Sequence, residues 1–290
     1  MIATTTLFGL DTDIAVSVTA PEHLEQAAAH IGALAHRLDG TVNRTRLSSE
    51  ITALDLAGGQ PVMVSSLLDQ LIIEALYFDD LTDGATRAVR RSTIPDYRYL
   101  PGVTFSATHA GMTTAASSPI PVWHRVQIGR GTVTVPSEVQ LELLATGRAF
   151  LADTASVQIA EQLDCGVLVR VGNLAATAGA CPDGGWNCDD LGAEAPLGSG
   201  MAIAQIRPAH VRALPVAPDD VRPQTFLACV TVIAESAALA QAAGFRSHAE
   251  PDAAVRWLGA QGLTARIDGG DDHDVVRVGR TPVIGHALAA

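Results

Sequence analysis

The stretch 141–153, LELLATGRAFLAD, constrains this chain more than any other. Leu141 and Leu143 alternate with Glu142 as on a buried strand, and from Gly147 onward the apolar residues fall at helical spacing. A strand that runs directly into a helix needs a sheet to join and a core for the helix to cover. It also leaves Glu142 pointing away from the two leucines that flank it.

The rest of the chain supplies both. Pro21 opens a helical pattern in which Leu24, Ala28, Ile31, Leu34 and Leu38 recur at three- and four-residue steps before Gly40. A second helix runs from a cap at Ser65 or Ser66 through Leu68, Leu71, Ile72, Ala75 and Leu76 to Thr82-Asp83-Gly84. Shorter helices are expected at 147–162, 236–243 and 252–258. Strands are expected at 14–18, 103–107, 126–128, 133–135, 139–143, 167–171, 226–234, 264–267 and 275–278. Short turns between neighbouring strands imply antiparallel pairing, so the fold class is α+β, with mixed or antiparallel sheets flanked by helices. No linker or repeat divides the chain. Residues 1–290 read as one unit, with two intertwined subdomains as the alternative.

The stretch 141–153 resembles the Leu-Asp-Leu-Gly-Gly-(apolar)-Ala-Lys-Gly-Tyr-Ala-(apolar)-Asp signature of the FAD:protein FMN transferases, the ApbE family. Leu141, Leu143 and Asp153 stand in register; Leu144 and Ala145 replace the glycines, Arg148 the lysine and Phe150 the tyrosine. Other landmarks follow in the family's order. Ser49-Glu50-Ile51 with Leu54-Asp55 resembles its Ser-Glu-x-x-x-Leu-Asn element, and Thr82-Asp83-Gly84-Ala85 its Thr-Asp-Gly turn, whose Phe-Asp-Pro becomes Thr86-Arg87-Ala88. Val169–Leu174 stands where the family has Val-Asn-Ala-Gly-Gly-Asp, and Pro182–Trp186 and Val230–Ala234 keep their places. The resemblance implies the ApbE-like fold over most of the chain.

It also implies which chemistry has changed. The family places FMN from FAD on a protein hydroxyl, with a divalent cation neutralising the pyrophosphate. Ligands for that cation come from an Ala-Asp-Ala-x-x-Thr element, aligned here with Ala240-Gln241-Ala242-Ala243-Gly244-Phe245. Gln241 thus replaces an aspartate and Phe245 a threonine, so no metal site is expected and no cofactor, FAD being the one flavin to test for. The family's Ala-Thr-Ser-Gly turn aligns with Ala204-Gln205-Ile206-Arg207, and His210 alone stands for its His-His-x-x-Asp-Pro loop.

Composition narrows the chemistry further. All 19 basic residues are arginine, which excludes a lysine Schiff base, a P-loop lysine and a lysine general base. A formal charge of −12 repels phosphate backbones, so no nucleic-acid partner is expected. No apolar run approaches the roughly 20 residues that span a bilayer, and residues 1–20 lack a basic region followed by an apolar core. Many family members are exported lipoproteins; the expectation here is a cytoplasmic protein with no membrane partner. The four cysteines, Cys165, Cys181, Cys188 and Cys229, contain no Cys-x-x-Cys pair and read as reduced small apolar residues. Gly269–Asp274 is metal-like in composition, but its flanking strands make it a hairpin turn.

The polar groups left in the cleft are therefore the candidates. Glu142, Glu50 and His210 are assigned to proton transfer, and Asp55, Asp83, Arg148, Asp153 and Phe245 to substrate binding. For Asp83 in its turn, Asp153 in its helix and Arg148 on a helix surface, a purely structural role is the competing reading; so is a surface role for His210 and His124. Two functions follow. One is an enzyme whose cleft has turned to metal-independent acid/base chemistry on a small organic substrate, such as a condensation or cyclisation of the Pictet–Spengler type in specialised biosynthesis. The other is a flavin- or nucleotide-binding pseudoenzyme, or a residual flavin transferase. Partners are a small-molecule substrate and, for the chain itself, a homo-oligomer.

Overall fold

A computed structural model describes residues 1–91, 121–214, 227–269 and 275–279. The expected strand at 103–107 and most of the turn at 269–274 lie outside these residues. In chain order the elements are β1 (Ala3–Gly9), β2 (Thr12–Val18), α1 (Leu24–Val42), α2 (Glu50–Leu56), β3 (Val62–Met63), α3 (Ser66–Leu81) and β4 (Val89–Arg91). Then come β5 (Gln127–Ile128), β6 (Thr132–Thr134), β7 (Val139–Leu141), α4 (Leu144–Leu163), β8 (Val167–Val171), β9 (Leu174–Ala178) and β10 (Ala202–Ile206). The chain continues through α5 (Pro208–Ala213), β11 (Cys229–Ala234), α6 (Ala237–Ala249), α7 (Pro251–Ala260), β12 (Thr264–Asp268) and β13 (Val276–Val278).

Eight strands form the main sheet in the order β1-β2-β8-β9-β10-β11-β12-β13, and each neighbouring pair is antiparallel. Alternation in β8 shows how its two faces are used. Val167, Val169 and Val171 pack towards the helices, whereas Leu168 joins Trp186, Cys188, Leu191 and Leu197 in a smaller cluster on the other side. Strands covered on both faces read as nearly continuous apolar runs, as β8 and β9 do apart from Arg170 and Thr177. The helical face is covered by α1, α4 and α6. In α1 the residues Ala27, Ile31, Leu34, Leu38 and Val42 form the buried stripe, and α3 is capped by Ser65, whose Oγ accepts from the Leu68 amide at 3.2 Å.

Between β2 and β8, adjacent in the sheet, the chain inserts α1 to α4 and two small sheets, β3-β6-β5 and β4-β7. This excursion lays α3 against the N-terminal half of α4. From the other direction α6 packs on β10 and β11. Its approach to β10 depends on Gly244: a Cβ there would lie 2.3 Å from Ile206 Cγ1. Three helices, α3, α4 and α6, thus line one cavity.

The structure departs from the sequence reading in several places. Residues 204–206, aligned with a turn, lie in β10, and Arg207 precedes α5. β1, β9 and β10 were not expected as strands, nor 50–56 as a helix. The strand expected at 139–143 ends at Leu141, and the next helix begins at Leu144, before the expected Gly147. Among the described residues no helix is long and apolar enough to cross a membrane.

Candidate functional site

A narrow cavity of about 20 Å³ lies where α3, α4 and α6 meet. Its wall is mostly small: Ala75 from α3, Ala88 after it, Ala145 and Ala149 from α4, and Ala238 and Ala242 from α6, with the rings of Phe78 and Phe245. Its polar lining residues are two glutamates, Glu74 and Glu142, two threonines, Thr86 and Thr146, and Gln241. Gln241 and Phe245, the pair aligned with the family's metal ligands, therefore share one cavity with Glu142.

Glu74 was not among the sequence candidates. It lies on the cavity side of α3, four residues before Phe78, and burial pushes its carboxyl up to about 7, with the negative charge of Asp153 adding to the rise. Asp153 is itself pushed up to about 6 by burial, opposed by two amides. Its Oδ1 accepts from Ala237 N at 2.7 Å and its Oδ2 from Ala238 N at 3.2 Å. Both oxygens are thus used to cap α6, which fixes the helix carrying Gln241 and Phe245.

Glu142 occupies the short link between β7 and α4. Its amide donates to Ala88 O at 2.8 Å, and its Oε2 lies 3.5 Å from Arg44 Nε. Arg44, also missed in the sequence, sits just beyond α1. It forms a bidentate pair with Asp55 and donates from Nε (2.8 Å) and Nη2 (2.6 Å) to the carbonyl of Leu141. Asp55 therefore supports the link that carries Glu142 instead of lining the cavity. Because Arg44 Nε is spent on Leu141, the Glu142 carboxylate keeps its own hydrogen-bonding capacity.

The other candidates are placed as follows. Glu50 accepts from Ser65 N and Ser65 Oγ, both at 2.8 Å, and from Thr41 Oγ1 at 3.3 Å, so it ties α1, α2 and α3 together outside the cavity. Arg148 donates to the carbonyls of Leu10 (2.8 Å) and Asp11 (3.1 Å), and burial holds its guanidinium below its usual range. His210 accepts at Nδ1 from Arg207 N at 3.0 Å across the first turn of α5, and burial lowers it too. Asp83, at a left-handed φ of 54°, lines a neighbouring pocket of about 160 Å³ with Arg87, Arg246 and Glu250. Phe245 is the wall shared by the two pockets.

One further carboxylate shapes the site from behind. Asp79 is fully buried and accepts from Val89 N at 2.7 Å and Ala88 N at 3.3 Å as well as from the Thr86 hydroxyl, so it folds the 86–89 segment over the cavity. Burial pushes it up to about 6 against those bonds. Leu174, aligned with a family aspartate, lies in the main core on β9, and His124 bonds Asp80 at 2.9 Å on the surface. On the opposite face of the sheet a depression beside Glu194, Arg266 and Arg277 holds none of the expected residues.

The sequence matches the model of the ApbE family over residues 10–209, which ends before α6. Solved structures extend the likeness to the whole chain. The Pseudomonas stutzeri flavinyl transferase ApbE in its apo form superposes with a TM-score of 0.75 at 15% identity, covering 96% of this chain and 95% of that one. The ApbE protein of Thermotoga maritima gives 0.70 at 20% identity with 96% and 97% covered. The flavin transferase ApbE of Vibrio cholerae gives 0.67 at 15% identity, again with 96% and 97% covered. At such identities the likeness is one of fold. No curated protein matches the chain in sequence.

Proposed function

Because the chain belongs to the ApbE family, we propose that it is an enzyme that keeps the family's fold while its cleft performs metal-independent acid/base chemistry on a small organic substrate. The observation that carries this reading is one cavity, apolar but for a few groups, faced by two carboxylates in different surroundings. Glu74 has an apolar setting and a negative neighbour, Asp153, and is poised near neutral pH. Glu142 has Arg44 beside it and the charge of Arg148 within range. Paired carboxylates in contrasting environments are the usual arrangement for one acid and one base.

In a condensation followed by ring closure, as in a Pictet–Spengler reaction, Glu142 accepts the proton that an ammonium must shed before its nitrogen attacks an aldehyde. Glu74 then delivers a proton to the hydroxyl that leaves as water. Each such transfer contributes about 100- to 10,000-fold in rate. Gln241 and the Thr86 and Thr146 hydroxyls orient the substrate.

The residues do not fit the family's divalent cation well. The aligned ligand positions hold an amide and a ring, Glu142 faces a guanidinium, and Glu74 is close to half-protonated at neutral pH, which makes it a weak ligand. Nor does the cavity suit a pyrophosphate: two carboxylates face it, and no arginine or histidine is among its described lining residues. Family membership favours a second reading, residual FAD:protein FMN transfer or flavin binding. The two separate on incubation with FAD. The first expects a colourless protein that releases neither FMN nor AMP; release that rises with magnesium and falls with a chelator would establish the second and remove the first.

A further inference from the structure

β1 is the outermost strand of the main sheet, and among the described residues no strand lies beyond it. It pairs with β2 without interruption, from Ala3 opposite Val18 to Gly9 opposite Thr12, so no bulge turns the edge away. Residues 3–10, ATTTLFGL, hold no charge and no proline. Bulges, charges, prolines and short length are the usual means by which an edge strand is kept from pairing with another chain, and β1 has none of them. The opposite edge of the sheet uses two: β13 has only three residues, and its Arg277 is held by Glu194.

Which backbone groups face outward follows from the turn. Leu10 and Asp11, at φ of 50° and 55°, form a two-residue connection between Gly9 and Thr12, so Ala3, Thr5, Leu7 and Gly9 exchange hydrogen bonds with β2. Thr4, Thr6 and Phe8 therefore direct their amides and carbonyls to the free edge. Their side chains are exposed as well, Phe8 at 71%. We propose that this edge pairs with the same edge of a second copy, antiparallel about a two-fold axis at Thr6, which joins two eight-stranded sheets into one. Thr6 then faces Thr6 of the second copy, and Phe8 faces Thr4 of the second copy, an aromatic ring beside a β-branched residue in each half.

Three observations select a second copy as the occupant. A chain of net charge −12 repels its own copies over most of its surface, and along the uncharged β1 that repulsion is least. The pairing is also self-complementary and closes on itself, whereas β1 set against the β13 edge of another copy would repeat into a filament. The third observation is Gly32. It lies in the middle of α1, where glycine weakens a helix, yet a Cβ there would meet open space, so packing within one copy does not require it. With Ala35 and His36 it borders a hollow of about 470 Å³ beside Leu7, Phe8 and Gly9. A missing side chain on this side of α1 leaves room for α1 of the second copy. That layer is needed: seven paired residues make a contact only about 24 Å long, and the roughly 1,000 Å² of a specific interface is reached when the helices take part as well.

The test is the mass of the purified full chain by sedimentation over a range of concentrations. A particle of twice the chain's 30.1 kDa is expected, dissociating on dilution. Thr6→Lys sets two like charges face to face at the axis, and should raise the dissociation constant at least about tenfold while leaving the circular dichroism unchanged. Thr6→Pro removes the outward amide and none of the bonds to β2, so it should act in the same direction; should it fold poorly, Thr6→Lys decides. Gly32→Leu should weaken the dimer without loss of the fold. Register is read by crosslinking. In such a pair the Cα atoms at position 6 are about 5.5 Å apart, within disulfide reach, so Thr6→Cys should give a linked dimer under mild oxidation and Phe8→Cys, away from the axis, should not. A parent of 30.1 kDa at every concentration overturns the proposal, as does a filament, or a dimer that Thr6→Lys leaves intact.

Discussion

Arg44 reaches 97 positions along the chain to hold the carbonyl of Leu141, donating from Nε at 2.8 Å and from Nη2 at 2.6 Å. The same guanidinium is clamped by Asp55, so a residue beyond α1 and one in α2 together fix the end of β7, from which Glu142 enters the cavity. Arg44→Gln should therefore destabilise the protein by about 1–3 kcal/mol, since it leaves a half-buried carboxylate and a carbonyl without their donor. Arg44→Lys should not restore the loss, because an ammonium cannot serve both partners in one plane. Urea unfolding of both variants checks this. A lysine variant as stable as the parent would show that the two-sided clamp contributes nothing.

The approach of α6 to β10 gives a second prediction. A methyl at position 244 would meet Ile206 Cγ1 at 2.3 Å and Ile206 Cβ at 3.1 Å, inside contact distance and near the root of a buried side chain. Gly244→Ala should cost about 1–3 kcal/mol, the usual penalty of overpacking. Pairing it with Ile206→Ala, which removes the clashing atom, should cost less than the sum of the two single changes. Additive losses in thermal unfolding would place the strain elsewhere.

Three carboxylates in the described structure, Glu74, Asp79 and Asp153, have raised pKa values, to about 7, 6 and 6. The sign follows from proton binding. Between the unfolded values of about 4 and these folded values the native state holds more protons than the unfolded chain, so stability is greatest below that window and falls as pH rises through it. The melting temperature is expected to drop by several degrees between pH 5 and pH 8. Glu74→Gln, which stays neutral throughout, should flatten the upper part of that fall. A melting temperature that rises over this range would mean that these groups are ionised at no cost.

The elements that were legible in the sequence are those with strong local patterns. α1 shows its apolar stripe over more than four turns, and β8 is an apolar run broken only by Arg170, whose bounds at Val167 and Val171 match the expectation. β1 was missed because it is an edge strand of threonines, half exposed, with little apolar contrast to read. β10 was missed because its position in the family resemblance suggested a turn. The site was legible in part. Glu142 could be placed on the cavity from its position opposite Leu141 and Leu143, and Phe245 from the resemblance. Glu74 and Asp79 carried a signal that went unused: Glu74 lies three residues after Leu71 and four before Phe78, and Asp79 four after Ala75, so both continue the apolar stripe of α3. A carboxylate in such a stripe is buried, and a buried carboxylate needs partners. Which partners it has depends on α6 and on the 86–89 segment, distant in sequence, and no local pattern encodes that. Glu50, Asp55 and Asp153 were recognisable as special residues, but each is held by bonds that knit helices and strand ends together.

The final prediction concerns Gln241, whose amide stands where the resemblance implies a carboxylate ligand. Gln241 is 8% exposed and shares the cavity with Glu74 and Glu142, so Gln241→Asp would bring a third carboxylate into an apolar space. Without a counter-ion that charge is unfavourable, and the variant should be less stable than the parent by about 1–3 kcal/mol at neutral pH. With three carboxylates converging, a hard divalent cation gains the oxygen ligands that the parent lacks, and each carboxylate is relieved of its neighbours' charge. Millimolar magnesium should therefore raise the melting temperature of Gln241→Asp and recover most of the loss, while leaving the parent unchanged. Gln241→Leu, which removes the amide without adding charge, serves as the control and should not respond. Stabilisation of the parent by magnesium to the same extent would mean that the amide is no obstacle to the metal, and would return the cleft to the chemistry of its family.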